Sequence, residues 1–107
     1  MNSITLLVLL FIFGIIMKKV LYKITVKGKV QGVWFRKYTF DEATRLGLKG
    51  FVKNEINNTV YIEAEGTSTT LNEFIKWLHK GSPLSKVSTV TFETDELKNY
   101  KSFEIHS

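Results

Sequence analysis

The 107-residue sequence contains no cysteine, one proline and two histidines. The absence of cysteine excludes a disulfide framework, a thiolate zinc site, an iron–sulfur cluster and a cysteine nucleophile. The histidines, His79 and His106, are too far apart in sequence to form a local metal motif. We therefore expect no metal and no cofactor, and we expect any chemistry to use the remaining polar side chains and the backbone.

Positive charge is concentrated in the first half of the chain. Residues 18–53 contain ten basic and two acidic side chains, a net charge of +8, whereas residues 54–107 have a net charge of −3. A basic region favours an anionic partner such as a phosphorylated molecule, a nucleic acid or an anionic membrane. A solvated lysine-rich surface would have the same composition, so charge alone does not separate these possibilities.

Residues 1–17 form a hydrophobic leader without a charged side chain, and Lys18 and Lys19 follow it. As a helix, the nearly continuous apolar run from Ile4 to Met17 would extend roughly 20 Å, against about 30 Å of bilayer hydrocarbon. Three interpretations stay open: an upstream misassigned start with translation from Met17, a short membrane anchor, or a cleaved signal. We expect residues 18–107 to form the domain, in the cytoplasm or tethered to a membrane and facing the cytoplasm.

Hydrophobic patterning in residues 18–107 predicts the order strand, helix, strand, strand, helix, strand. The predicted strands cover residues 20–27, 51–56, 59–65 and 87–93, and the predicted helices cover residues 34–48 and about 70–80, the second starting at a capping box from Thr70 to Glu73. Residues 103–106 suggest a short extra strand at the C-terminus. The order is typical of an α+β, ferredoxin-like βαββαβ sandwich, with an antiparallel sheet and two helices on one face.

The segment Gly28-Lys-Val-Gln-Gly-Val-Trp-Phe-Arg36 joins the first predicted strand to the first predicted helix. Its glycines allow the backbone to curl so that successive N–H groups form an anion nest, and the helix N-terminus adds its dipole. Arg36, at the helix entrance, offers a planar, two-pronged donor for phosphate oxygens. A glycine-containing turn with a surface arginine would show the same bare pattern.

Asn54 is a second candidate. Strict alternation places it on the same side of its strand as Val52 and Ile56, which we expect to face inward. Burial of an amide is costly unless the amide is hydrogen-bonded. Asn54 therefore either has a structural partner or lines a site.

These two segments resemble the signatures of the acylphosphatase family. Residues 28–36 match its pattern G-x-V-Q-G-V-x-[FY]-R at every fixed position, and residues 50–54 match its second pattern, G-[FWY]-[AV]-[KR]-N. The similarity covers about residues 20–105, which is essentially the whole chain after the leader.

The resemblance implies hydrolysis of the carboxyl–phosphate bond of acyl phosphates to a carboxylate and inorganic phosphate. Because a carboxylate is a good leaving group, the reaction needs no strong general acid and depends mainly on stabilising the phosphoryl oxygens. The resemblance implies that Arg36 binds the phosphate and that Asn54 orients the attacking water. The implied phosphate-binding loop comprises Gln31, Gly32, Val33, Trp34, Phe35 and Arg36. No side chain stands out as a general base, and the substrate's own phosphate is a candidate proton acceptor.

Alternatives remain. One is a related domain that handles carbamoyl phosphate within a larger maturation protein, and another is a non-catalytic phosphate- or nucleic-acid-binding ferredoxin-like module. We do not expect nucleic acid as a partner, because Glu63 and Glu65 on the predicted open face of the sheet would repel a polyanion. We expect a monomer that acts on a small-molecule acyl phosphate and meets a membrane only through the leader.

Overall fold

The helices and strands of the chain are defined in a computed structural model that describes residues 2–107, so that Met1 of the predicted leader lies outside the described residues. They are α1 (Ser3–Met17), β1 (Lys19–Lys29), α2 (Phe35–Arg45), β2 (Lys49–Asn54), β3 (Val60–Thr67), α3 (Ser68–Lys80), β4 (Lys86–Asp95) and β5 (Phe103–His106). After α1, their order is the βαββαβ order that the patterning predicts, with β5 as the additional strand.

The strands form one sheet in the order β4-β1-β3-β2-β5. β1 is antiparallel to both β3 and β4, and β2 is antiparallel to β3. The extra strand is confirmed, but β5 pairs in parallel with β2, with Gly50 opposite Phe103, so the sheet is mixed and not purely antiparallel. The reason is that residues 96–102, which we call the crossing segment, lead the chain from the β4 edge to the opposite edge of the sheet.

One hydrophobic core lies between the sheet and helices α2 and α3. Side chains that are almost completely buried there include Ile24, Val26, Val52 and Ile62 from the sheet and Phe35, Ala43, Leu71, Phe74 and Leu78 from the helices. Full burial of each large side chain contributes roughly 1.5–3 kcal/mol. The predicted ferredoxin-like sandwich is confirmed, and its core fixes the N-terminus of α2 against the sheet.

The ends of the two core helices are set by local backbone chemistry. α2 ends at Arg45, and Gly47 (φ 73°) takes the left-handed conformation that commonly follows a helix. α3 begins earlier than the capping box predicts, because Thr67 is its N-cap and its Oγ1 accepts a hydrogen bond from the Thr70 N–H at 3.3 Å. β3 leads directly into α3, so this earlier threonine caps the helix first.

Helix α1 presents apolar side chains to solvent in every direction. Asn2 caps it, with its Oδ1 accepting a hydrogen bond from the Thr5 N–H at 2.8 Å. Each of the eight consecutive residues 6–13 exposes between 48% and 69% of its surface, and eight residues make more than two helical turns. Within residues 2–107, no helix is both long enough and apolar enough to cross a membrane.

The crossing segment covers part of the sheet face opposite the helices. Glu63 and Glu65 lie on that face and are only 5% and 6% exposed. The Glu65 carboxylate accepts hydrogen bonds from the backbone N–H groups of Lys98, Asn99 and Tyr100. The expectation of an open face at these two glutamates is therefore wrong, because the segment that covers them comes from the far end of the sequence.

Candidate active site

The loop between β1 and α2 is shaped by two residues with positive φ. Gly32 has φ 72°, and Trp34, the residue before α2, has φ 61° and ψ 18°. The first helical bond of α2 runs from the Tyr38 N–H to the Trp34 carbonyl at 3.1 Å. The N–H groups of the first turn, from Phe35 onward, therefore have no acceptor within the helix. Such a helix terminus attracts anions.

A cavity of about 370 Å³ lies at this end of α2. Its lining comes from the loop, α2, β2 and β5, and consists of Val30, Gly32, Trp34, Phe35, Arg36, Lys37, Asn54 and Ile105. Of the residues that the sequence suggests for the site, Gly32, Trp34, Phe35, Arg36 and Asn54 thus meet around one cavity. The fold brings together two segments that are separated by a complete helix.

Arg36 is held at the cavity by the C-terminal strand. Its Nη1 donates a hydrogen bond to the His106 carbonyl oxygen at 2.8 Å. A guanidinium carries five N–H donors in a rigid plane, so this contact fixes one edge and leaves other donors for a ligand. The His106 ring in turn stacks on Phe51 of β2 at a centroid distance of 4.5 Å. β5 therefore orients Arg36 although it contributes no side chain to that contact.

Asn54 ends β2 with its side-chain oxygen directed into a buried position. The Oδ1 atom is inaccessible to solvent and has no hydrogen-bond partner within residues 2–107. An unsatisfied buried acceptor costs about 1–3 kcal/mol. Ile56, which alternation predicts to be inward, is fully exposed. The alternation stops at Asn54 because the chain turns immediately afterwards.

Gln31 and Val33 hold the loop in place from its two sides. The Gln31 Nε2 donates to the carbonyl oxygens of Glu55 and Thr59, both at 2.8 Å, and so ties the loop to the β2–β3 turn. The Val33 side chain is buried, and its carbonyl oxygen accepts a hydrogen bond from Ser82 Oγ at 3.0 Å. Neither residue lines the cavity, and the role of their backbone N–H groups in phosphate binding stays a prediction.

Lys37 and Ile105 line the cavity although the sequence analysis does not select them. Lys37 occupies the first turn of α2, and its Nζ lies 2.6 Å from Asp41 Oδ1 and 5.6 Å from the centre of the Phe40 ring. A second cation next to Arg36 at a helix N-terminus is a signal that could have identified it. Ile105 could not be found in this way, because its position depends on the parallel pairing of β5.

The electrostatic character of the cavity is positive. Arg36 and Lys37 contribute cationic side chains, α2 contributes its N-terminus, and no carboxylate lines the cavity within residues 2–107. A dianionic phosphoryl group fits such surroundings, because both guanidinium and helical N–H groups donate to its oxygens. Asn54 adds an uncharged amide to this lining.

Comparisons with known proteins agree with this geometry. Residues 22–105 match the family model described as Acylphosphatase. An acylphosphatase of Archaeoglobus fulgidus is 45% identical over 83 residues, which are 78% of this chain and 93% of that protein. The crystal structure of acylphosphatase from Bacillus subtilis superposes with a TM-score of 0.81 at 37% identity, covering 82% of this chain and 99% of the other.

A structure of full-length HypF in the phosphate- and nucleotide-bound form is also similar, with a TM-score of 0.76 and 31% identity, over 85% of this chain and 12% of its own length. The family match covers most of the chain and includes both signature segments. The chain therefore belongs to the acylphosphatase family.

Proposed function

We propose that this member of the acylphosphatase family binds the phosphoryl group of an acyl phosphate at the N-terminus of α2 and attacks it with a water held by Asn54. The family assignment supports hydrolysis of the carboxyl–phosphate bond. The observation that carries the mechanism is the position of Asn54 and Arg36 in the lining of one cavity at the N-terminus of α2.

Phosphate binding rests on donors that are already in position. Arg36 lines the cavity together with Phe35 and Lys37 of the first turn of α2, whose N–H groups have no acceptor within the helix. We expect the backbone N–H groups of the loop from Gln31 to Phe35 to complete the shell. Preorganised donors stabilise the charge that develops on the phosphoryl oxygens without reorganising during the reaction.

The chemical step is a displacement at phosphorus. A hydrogen bond with the side-chain amide of Asn54, which lines the cavity, holds the water and directs an oxygen lone pair at phosphorus. The new P–O bond forms as the bond from phosphorus to the acyl oxygen breaks, and the carboxylate leaves with the electron pair. One proton of the attacking water stays on the new P–OH group and the other passes to a phosphoryl oxygen, so that the products of the dianionic substrate are a carboxylate and dihydrogen phosphate, which releases a proton to solvent at neutral pH.

The test is the variant Asn54→Ala, with acetyl phosphate and benzoyl phosphate as substrates. Loss of the water-positioning amide should lower kcat by about 100-fold, while the inhibition constant for inorganic phosphate changes less than about threefold. Asn72→Ala, at an exposed asparagine of α3, is the matched control. A collapse of phosphate binding with normal turnover of bound substrate would make Asn54 a ground-state binding residue and refute the proposed role. Carbamoyl phosphate as a third substrate tests the alternative activity directly.

We also propose that residues 18–107 form the catalytic domain, as a monomer, and that α1 is a separate element that inserts into the surface of a lipid bilayer. Exposed apolar side chains surround α1 on all sides, whereas a protein groove or a second copy would cover only one of them. Lys18 and Lys19, which follow the helix directly, suit anionic headgroups.

Vesicle flotation tests the lipid proposal. The full chain should float with vesicles that contain phosphatidylcholine and phosphatidylserine, and a chain beginning at Met17 should not. Replacing Lys18 and Lys19 by alanine should weaken binding at low salt. If the full chain and the shortened chain partition equally, α1 has no role in lipid association. Light scattering of the shortened chain measures whether it is monomeric.

A further inference from the structure

A second cavity lies directly beside the phosphate cavity and has a different character. It measures about 520 Å³, and its lining is mostly apolar, with Val33, Tyr38, Pro83 and Leu84 as contributors. Trp34 and Lys37 line both cavities. A ligand that has an anionic head and an apolar body can therefore occupy the two cavities at once by passing over these shared residues.

Trp34 forms the boundary between the two cavities in an unusual conformation. Its backbone is left-handed, with φ 61°, which bulky L-residues adopt only at an energetic cost and which glycine adopts freely. Its side chain is 71% exposed, so burial in the core does not compensate for this strain. Strain that persists at a ligand cavity without a packing reason points to a function of the side chain.

The charges at the second cavity leave its apolar surface accessible to a neutral group. The carboxylate of Asp41 is paired with Lys37 at 2.6 Å, and the Lys37 Nζ lies 5.6 Å from the centre of the Phe40 ring. Leu84 exposes 69% of its surface and Tyr38 exposes 43%. Exposed apolar side chains clustered around a concave surface mark binding sites more often than chance exposure does.

We propose that this second cavity is the acyl subsite, which selects acyl phosphates whose acyl group is an aromatic ring or an alkyl chain of similar size. The proposal rests on the proposed function, because it requires the phosphoryl group to lie in the first cavity. The acyl group is attached to phosphorus through one oxygen, so a phosphoryl group at Arg36 places the acyl carbon near Trp34. The ring of a benzoyl group then packs against the indole and Leu84, where an acetyl group is too short to reach.

The experiment compares kcat/KM for benzoyl phosphate and acetyl phosphate in the full chain. We expect the wild-type protein to prefer benzoyl phosphate by about tenfold or more, since burial of a few carbon atoms in an apolar site gives discrimination of this order. Leu84→Ser should lower this preference by about threefold to tenfold and leave kcat/KM for acetyl phosphate unchanged. Leu97→Ser, at an exposed leucine of the crossing segment, is the matched control and should change neither value.

Trp34→Asn removes the ring but keeps a residue that tolerates the left-handed conformation. It should lower kcat/KM for benzoyl phosphate by a factor at least five times larger than for acetyl phosphate. Benzylphosphonate and methylphosphonate, which contain a stable C–P bond, report binding without turnover, and their ratio of inhibition constants should change in parallel.

The outcomes separate the two proposals. If neither acyl phosphate is hydrolysed, the proposed function fails, and the phosphonates still report whether the subsite exists. If both substrates are hydrolysed and the benzoyl preference is absent, or survives Leu84→Ser and Trp34→Asn, the acyl subsite is wrong while the proposed function stands.

Discussion

Two buried polar regions of this molecule use their hydrogen-bonding groups in opposite ways. On the face of the sheet opposite the helices, Glu65 accepts three backbone N–H groups of the crossing segment. Glu63 accepts hydrogen bonds from Tyr61, Tyr100 and Lys98. At the end of β2, by contrast, the buried oxygen of Asn54 has no partner within residues 2–107.

The hydrogen-bonded glutamates stabilise the fold, whereas the unpaired asparagine indicates a functional site. A buried carboxylate that is fully hydrogen-bonded fixes chain segments to one another, and removal of either partner is costly. A buried acceptor that is left unpaired lowers the stability of the fold, and a binding or catalytic role of its side chain can explain why this cost is tolerated. The comparison predicts that changes at the glutamates reduce stability, whereas changes at the cavity reduce activity.

The largest expected effect belongs to the cavity. Arg36→Lys keeps the positive charge but loses the planar pair of donors, and we expect kcat/KM to fall by about 100-fold or more while the protein stays folded. Arg45→Lys, at the opposite end of the same helix and paired with Glu42, is the control and should keep full activity. Near-normal turnover together with normal inhibition by phosphate in Arg36→Lys would remove Arg36 from the site.

The next largest expected effect is a loss of stability when the buried glutamates are changed. Glu65→Ala leaves the N–H groups of the crossing segment without their acceptors and should lower the free energy of unfolding by about 2–3 kcal/mol. Asn54→Ala should not lower it, because no hydrogen bond is lost and the cost of the unpaired acceptor is removed. Urea denaturation measures both variants. Equal losses in the two variants would show that Asn54 is a structural residue and that the contrast does not exist.

The crossing segment should also set the pH limits of stability. Burial alone would raise the pKa of Glu63, but hydrogen bonds from Tyr100, Tyr61 and Lys98 outweigh it, and the pKa lies below the ordinary value of 4.5. The unfolded chain therefore takes up this proton first, and stability is lost as the pH falls from about 4.5 through the lowered pKa.

At alkaline pH, Tyr100 limits stability, because its pKa is raised whereas the pKa of Glu63 is lowered. Burial, followed by the hydrogen bond to Glu63, raises the pKa of Tyr100 from 10.0 to about 12. The unfolded chain loses this proton first, so the contribution is complete below pH 10 and disappears as the pH rises through about 12. Unfolding free energies measured across both ranges should show the two declines, and Tyr100→Phe should weaken the alkaline one. A flat alkaline profile in the wild-type protein would contradict this assignment.

The smallest expected effect on activity is that of removing the leader. A chain that begins at Met17 retains both signature segments and all five strands of the described structure, so its activity per mole of folded protein should equal that of the full chain. Circular dichroism gives the folded fraction, and acetyl phosphate hydrolysis gives the activity. An unfolded or inactive shortened chain would show that α1 completes the domain and would overturn the boundary at residue 18.

The sequence predicts those features of the fold and the site that depend on residues close together in the chain. Hydrophobic patterning in residues 18–107 is enough to predict the order of the elements, and the two signature segments are enough to predict five residues of the cavity. The bond from Arg36 to His106 joins residues 70 positions apart. Four residues at the C-terminus carry too little pattern to predict a parallel pairing. For the same reason the burial of Glu63 and Glu65 could not be foreseen, since residues 96–102 show no periodicity.

The side-chain amide of Gln31 limits how much the β2–β3 turn of this enzyme can vary in length. By donating to the carbonyls of Glu55 and Thr59, it bridges the two ends of the β2–β3 turn and couples that turn to the loop before α2. An insertion between these residues would separate the two acceptors and shift the loop before α2 with them. A surface turn that lines neither cavity is therefore constrained in length, and evolution or engineering can lengthen it only by finding a new support for the loop.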